Sequence, residues 1–141
     1  MAATRTATTN WQGSLTEGSG NVTLESSGLG TYDVSWAART EEPNGLTSPE
    51  ELIAAAHSAC FSMALSGALA KAGTPPTTLR TTADVTFQPG SGITESHITV
   101  QGEVPGLSPE AFQAAAEDAK ANCPVSKALT GTTITVDASL G

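Results

Sequence analysis

SPEELIAAAHSACFSMALSGALAKAG, residues 48–73, is the stretch whose reading decides the fold. Ser48 can accept from the free backbone N–H groups of a helix start, and Pro49 suits the first turn. Glu51, three residues after Ser48, completes a capping-box pattern. From Leu52 to Ala70 the run is nearly free of charge and apolar almost all round, the pattern of a buried helix. Gly73 and then Pro75-Pro76 stop it, so the predicted helix runs from Pro49 to about Ala72. Small residues along it, Ala55, Ala56, Ala59, Ala64, Gly67 and Ala68, let another element approach its backbone closely.

Outward from this helix, three short β-like runs precede it, Arg5 to Trp11, Asn21 to Glu25 and Tyr32 to Ala38, separated by Gly-Ser turns. They predict an antiparallel meander, followed by a polar loop over 41–47 that Pro43 and Gly45 interrupt. Beyond the helix, Thr77 to Phe87 and Ile93 to Val104 alternate and are rich in Thr and Val, with Pro89-Gly90-Ser91-Gly92 turning between them. Ser108-Pro109-Glu110 repeats the helix-start pattern and predicts an amphipathic helix ending near Asn122. A short helix should start at Pro124 with Cys123 in the capping position, and Thr132 to Ala138 reads as a last strand. The order β-β-β-α-β-β-α-α-β implies an α+β architecture in one domain spanning 1–141, an antiparallel sheet wrapped around a long central buried helix.

Composition narrows the partners. The hydrophobic fraction is only 38% and much of it is alanine, so the core of one chain is thin and a second subunit is the natural remedy. Six basic against fourteen acidic residues give a net charge of −8, which repels phosphate backbones and anionic lipid. The opening MAATRTATTN lacks the apolar stretch of a signal peptide, and no stretch reaches about 18 uninterrupted apolar residues. The expectation is a cytoplasmic protein that binds neither nucleic acid nor membrane. In that reducing compartment two cysteines normally remain thiols, and any disulfide between them is more often transient and catalytic than structural.

Those cysteines are Cys60 and Cys123. Cys60 sits mid-helix among alanines, where a thiol behaves as a small inert hydrophobe unless a cation stabilises its thiolate; about three turns from the helix start, the dipole no longer helps. Cys123, at a predicted helix N-terminus, faces unpaired N–H groups and is by this logic the more acidic of the two, although a thiol there can also merely cap the helix. Among the arginines, Arg39 directly precedes the polar loop, and its planar, always-charged guanidinium suits holding a thiolate. Glu50 lies ten residues before Cys60, so Arg39 would have to bridge from a carboxylate at the helix start to the sulfur. The plainer readings are a surface ion pair of Arg39 with Glu41 or Glu42 and a favourable first-turn charge for Glu50. His57 shares the helix face of Cys60, which raises a Cys–His hydrolase or a metal site with Cys123; no ligand spacing supports a metal, and a core histidine is the plainer reading.

Taken together, Thr47-Ser48-Pro49-Glu50-Glu51-Leu52, the run from Ala55 to Leu65 around Cys60, and Asn122-Cys123-Pro124-Val125-Ser126-Lys127-Ala128-Leu129 resemble the OsmC/Ohr family of osmotically inducible and organic hydroperoxide resistance proteins, its OsmC branch in particular. Trp11-Gln12-Gly13 and Thr82-Ala83-Asp84-Val85 extend the likeness over essentially the whole chain. The resemblance implies an OsmC-like fold in an intertwined homodimer. It also implies a thiol peroxidase that uses no metal, haem or flavin. Cys60 would attack an organic hydroperoxide or hydrogen peroxide and become a sulfenic acid; Cys123 would condense with it to a disulfide, which a dithiol reduces. Glu50 matches the glutamate that holds the catalytic arginine, a role that falls to Arg39, with Arg5 as the fallback. The alternative is a ligand-binding or stress-structural protein on the same fold whose thiols are incidental.

Overall fold

A computed structural model describes residues 1–141. The chain gathers into two units, Met1–Leu52 and Ile53–Gly141. In the first, β1 (Thr8–Gln12) pairs antiparallel with β2 (Ser19–Thr23), and β2 with β3 (Thr31–Val34). Gly20 on β2 has to be glycine: a Cβ there would lie 2.6 Å from the Asn10 carbonyl oxygen and 2.8 Å from the Trp11 ring.

The predicted third strand stops short. Ser35 is extended, but its Oγ accepts from the Ala38 N–H at 3.1 Å and turns the chain into a short helix, α1 (Trp36–Thr40), where a strand to Ala38 was expected. The loop that follows reverses through Asn44 and Gly45, both with positive φ, and Thr47 returns to bridge Val34. Ser48 then caps the long helix α2 (Pro49–Lys71), its Oγ accepting from the Glu51 N–H at 3.1 Å. The Glu51 carboxylate accepts from the Thr47 hydroxyl at 2.6 Å, so a neighbouring hydroxyl takes the place of the backbone N–H in the capping box. At the other end Gly73 takes a positive φ, and the Thr74 N–H donates to the Leu69 carbonyl at 2.9 Å, closing the last turn.

In the second unit the expected hairpin is β4 (Thr78–Gln88) with β5 (Gly92–Glu103), antiparallel, with an irregularity between Thr86 and Phe87. After it come α3 (Pro109–Asn122), α4 (Pro124–Ala128) and β6 (Thr133–Leu140). Here the sheet departs from the antiparallel expectation, because β6 pairs parallel with β5. The two helices between them form the crossover that a parallel pair requires, which a short turn cannot supply. As an edge strand β6 would leave backbone groups open. Gln113 of α3 occupies two of them, its amide donating to the Val136 carbonyl at 3.2 Å and its oxygen accepting from the Ala138 N–H at 2.9 Å.

The core of this unit is Phe61, Leu65 and Leu69 of α2, Ile98 and Val100 of β5, Phe112, Ala116 and Ala119 of α3, and Val136 of β6. Phe112 is fully buried and lies so close over β5 that a Cβ on Gly102 would come within 2.7 Å of its ring; burial of one such side chain stabilises by about 1.5–3 kcal/mol. The buried positions of α2 in this unit, His57, Phe61, Leu65 and Leu69, recur every fourth residue and form one stripe. Ala56, Ala59, Met63, Gly67 and Ala70 are exposed, Met63 at 74%. An all-round apolar helix is thus covered on one side only, because a single chain has one layer to lay against it. By length and composition α2 also matches a membrane-spanning helix, with a mean hydropathy of 1.5, a pattern that the core helix of a soluble protein shares.

Candidate active site

In the second unit the two thiols come together. Cys60 projects from α2 and is partly buried, packed against the core to which the fully buried Cys123 belongs. Cys123 ends α3 and begins α4; its own N–H donates to the Ala119 carbonyl at 2.8 Å, which fixes the corner between the two helices. The two thiols are near enough that each shifts the ionisation of the other, raising Cys60 and lowering Cys123. Their proton affinities therefore diverge. Burial pushes the Cys60 thiol up, its hydrogen bond to Cys123 pushes it further, and the Val125 N–H only partly opposes them. Burial also pushes Cys123 up, but the Ser126 N–H, the Cys60 thiol, the Ser126 hydroxyl and the Val125 N–H together outweigh it, and its thiol lies below the ordinary range. The helix-terminal argument from sequence holds: within this unit Cys123 is the more readily ionised sulfur.

His57 is a core residue. Its Nδ1 meets the Ser96 hydroxyl and its Nε2 the Ser126 hydroxyl, each at 2.7 Å, and all three side chains are buried. Burial lowers its pKa, so the ring is neutral. With both nitrogens engaged by serines, His57 has no nitrogen left to take a proton from Cys60, and the hydrolase reading loses its base. Ser96 and Ser126 were missed from sequence. Ser96 was findable as the one polar residue in the inward register Ser96, Ile98, Val100 of β5, and Ser126 as the residue three after the helix-capping Cys123.

In the first unit Arg39 and Glu50 form a fork. Arg39 Nε lies 3.1 Å from both Glu50 oxygens and Nη2 2.9 Å from Oε2, and Glu50 is buried. The guanidinium also stands 5.9 Å from the centre of the Trp36 ring. This is a positioned pair rather than a loose surface bridge to Glu41 or Glu42. It borders a cavity of about 370 Å³ that Trp11, Leu15, Trp36, Pro49 and Leu52 also line. Arg5, by contrast, is exposed and donates to the adjacent Thr4 carbonyl at 2.9 Å.

An α+β chain with two adjacent, unequally acidic thiols and a carboxylate-held arginine defines a class of thiol-based redox proteins. Residues 42–139 match the family model described as OsmC-like protein. Peroxiredoxin OsmC of Escherichia coli is 43% identical over 123 residues, 85% of each chain. Among solved structures, an organic hydroperoxide resistance protein from Elizabethkingia anophelis, with thiocyanate bound, superposes at a TM-score of 0.68, with 26% identity over 100% of this chain and 99% of that one. An organic hydroperoxide resistance protein OsmC from Legionella pneumophila shares the fold at a TM-score of 0.69 over 99% of both chains, with 24% identity. The chain belongs to the OsmC-like family.

Proposed function

We propose that this chain is a cysteine-based peroxidase that reduces hydroperoxides at the expense of a dithiol. The observation that carries the reading is the pair of free thiols packed together from two different elements, with their proton affinities driven apart. The names of the relatives, peroxiredoxin and organic hydroperoxide resistance protein, point to the same chemistry.

The Cys60 thiolate attacks the terminal oxygen of ROOH. The O–O bond breaks, the leaving alkoxide takes a proton to become ROH, and Cys60 is left as a sulfenic acid. The Cys123 thiolate then attacks the Cys60 sulfur; an S–S bond forms, the S–O bond breaks, and the hydroxyl leaves with a proton as water. A dithiol reductant returns both thiols by exchange. Arg39, held by Glu50, serves to stabilise the attacking thiolate and the developing oxyanion. With equimolar cumene hydroperoxide the reduced protein should release one equivalent of cumyl alcohol per chain and lose both free thiols. A dithiol should sustain turnover, and no consumption of hydroperoxide would leave only a binding role.

The exposed stripe Ala56, Ala59, Met63, Gly67 and Ala70 on α2 supports a homodimer, since small residues permit close helix–helix approach and the stripe is otherwise apolar surface in water. Light scattering after gel filtration should give twice the 14.2 kDa chain mass, and a monomer would overturn the dimer.

A further inference from the structure

Arg39 is held by more than the Glu50 carboxylate. A strand continued through residues 36–39 would send Trp36 and Arg39 to opposite faces, because side chains alternate along a strand and these two are three residues apart. The chain turns instead. Ser35 Oγ accepts from the Ala38 N–H at 3.1 Å, and the Thr40 hydroxyl donates to the Trp36 carbonyl at 3.0 Å, so the single turn of α1 is fastened at both ends. On a helix, positions three apart share a face. The guanidinium carbon of Arg39 accordingly stands over the Trp36 ring, 5.9 Å from its centre, within the range at which an indole face attracts a cation. Glu50 grips the same group along its Nε and Nη2 edge.

We propose that Trp36 is a positioning residue for Arg39: its indole face, presented by the one-turn helix α1, holds the guanidinium beside Glu50 without adding negative charge to the site. The inference rests on the reading of Arg39 as the group that stabilises the attacking thiolate and the developing oxyanion. The two holds act differently. Glu50 fixes two nitrogens, but it brings a full negative charge that offsets the positive one, and a second carboxylate in place of the ring would leave the group anionic. An aromatic ring attracts a cation through its quadrupole and carries no net charge. Trp36 is half-buried and lines the same cavity of about 370 Å³ as Arg39, so the contact is partly sheltered from water, which strengthens it. Trp36 acts through Arg39 rather than on the sulfur or the peroxide.

In NMR spectra of the reduced, arginine-labelled protein, the Arg39 side-chain resonances should carry ring-current shifts that vanish in Trp36→Leu, and rotation about the Arg39 Nε–Cζ bond should quicken in that variant. Trp36→Leu should slow sulfenic-acid formation in stopped flow about fivefold, the effect of losing a partly sheltered cation–π contact. Trp36→Phe keeps an aromatic face and should retain most of the rate. In an Arg39→Ala background, Trp36→Leu should slow the step no further, because the contact it removes is already gone. A ring that only walls the cavity would cost the same with Arg39 or without it, and that result overturns the proposal. A Trp36→Leu rate equal to that of the unaltered protein overturns it as well, and so do Arg39 resonances that Trp36→Leu leaves in place. The NMR signature requires no peroxide chemistry, so failure of the stack is read separately from failure of the Arg39 reading, which shows as an Arg39→Ala rate that does not fall.

Discussion

Cys60→Ser is expected to abolish peroxide turnover, with a loss of at least about a thousandfold, because a serine hydroxyl is not ionised at neutral pH and cannot replace the thiolate. Cys123→Ser should behave differently: one equivalent of alcohol still forms, but the sulfenic acid on Cys60 has no adjacent thiolate to condense with and a dimedone-type probe captures it. The contrast between the variants carries the assignment. The proton distribution within the second unit, taken alone, favours ionisation of Cys123 over Cys60. A full burst of alcohol from Cys60→Ser, with the probe on Cys123, would reverse the roles. If the assignment holds, the resting preference has a use of its own, since a thiol that gains its charge before the sulfenic acid appears can attack it without waiting for a base.

Arg39→Ala should lower the rate of the first step by about 10²–10³, the range seen when one preorganised charge-stabilising donor is removed. Burial and the hydrogen bond to Cys123 both hold the proton on Cys60, and in its own unit the Val125 N–H alone opposes them. In the proposed mechanism a cation supplies the rest. Arg39 is the cation whose guanidinium is fixed, by a two-oxygen clasp on Glu50 in the first turn of the helix that carries Cys60. Arg39→Lys should recover little, because an ammonium cannot clasp both oxygens and still present a planar face. Glu50→Gln should cost less, about tenfold, since it loosens the guanidinium without removing its charge. Stopped-flow measurement of sulfenic-acid formation checks the order, and an Arg39→Ala rate equal to that of the unaltered protein would remove Arg39 from the mechanism.

Features that depend on near neighbours were legible in the sequence. Ser48-Pro49 and Gly73 bounded α2 to within a residue, since caps act over a single turn, and alternation marked the β4–β5 hairpin. Ser35 was legible in principle as a cap but was read as part of a strand, because Tyr32-Asp33-Val34 ahead of it suits a strand and the competing helix is only five residues long. The parallel pairing of β6 was not legible: alternation reports which face is buried and says nothing of strand direction, which the crossover through α3 and α4 sets. Nor was the one-sided burial of α2, because apolar residues all round a helix state that it needs cover without saying which chain provides it.

By itself the sequence established the elements and their order apart from the short helix α1, the thiols at mid-helix and helix start, and Arg39 and Glu50 as charges ahead of and at the start of α2. All of these follow from propensity and spacing over a few residues. Tertiary structure alone decided that Cys60 and Cys123 come together, that their acidities are driven apart, and that His57 is gripped between Ser96 and Ser126. These contacts join residues 39 to 69 positions apart, and what selects them is burial: a polar atom taken out of water must find its partner wherever the packed chain brings one.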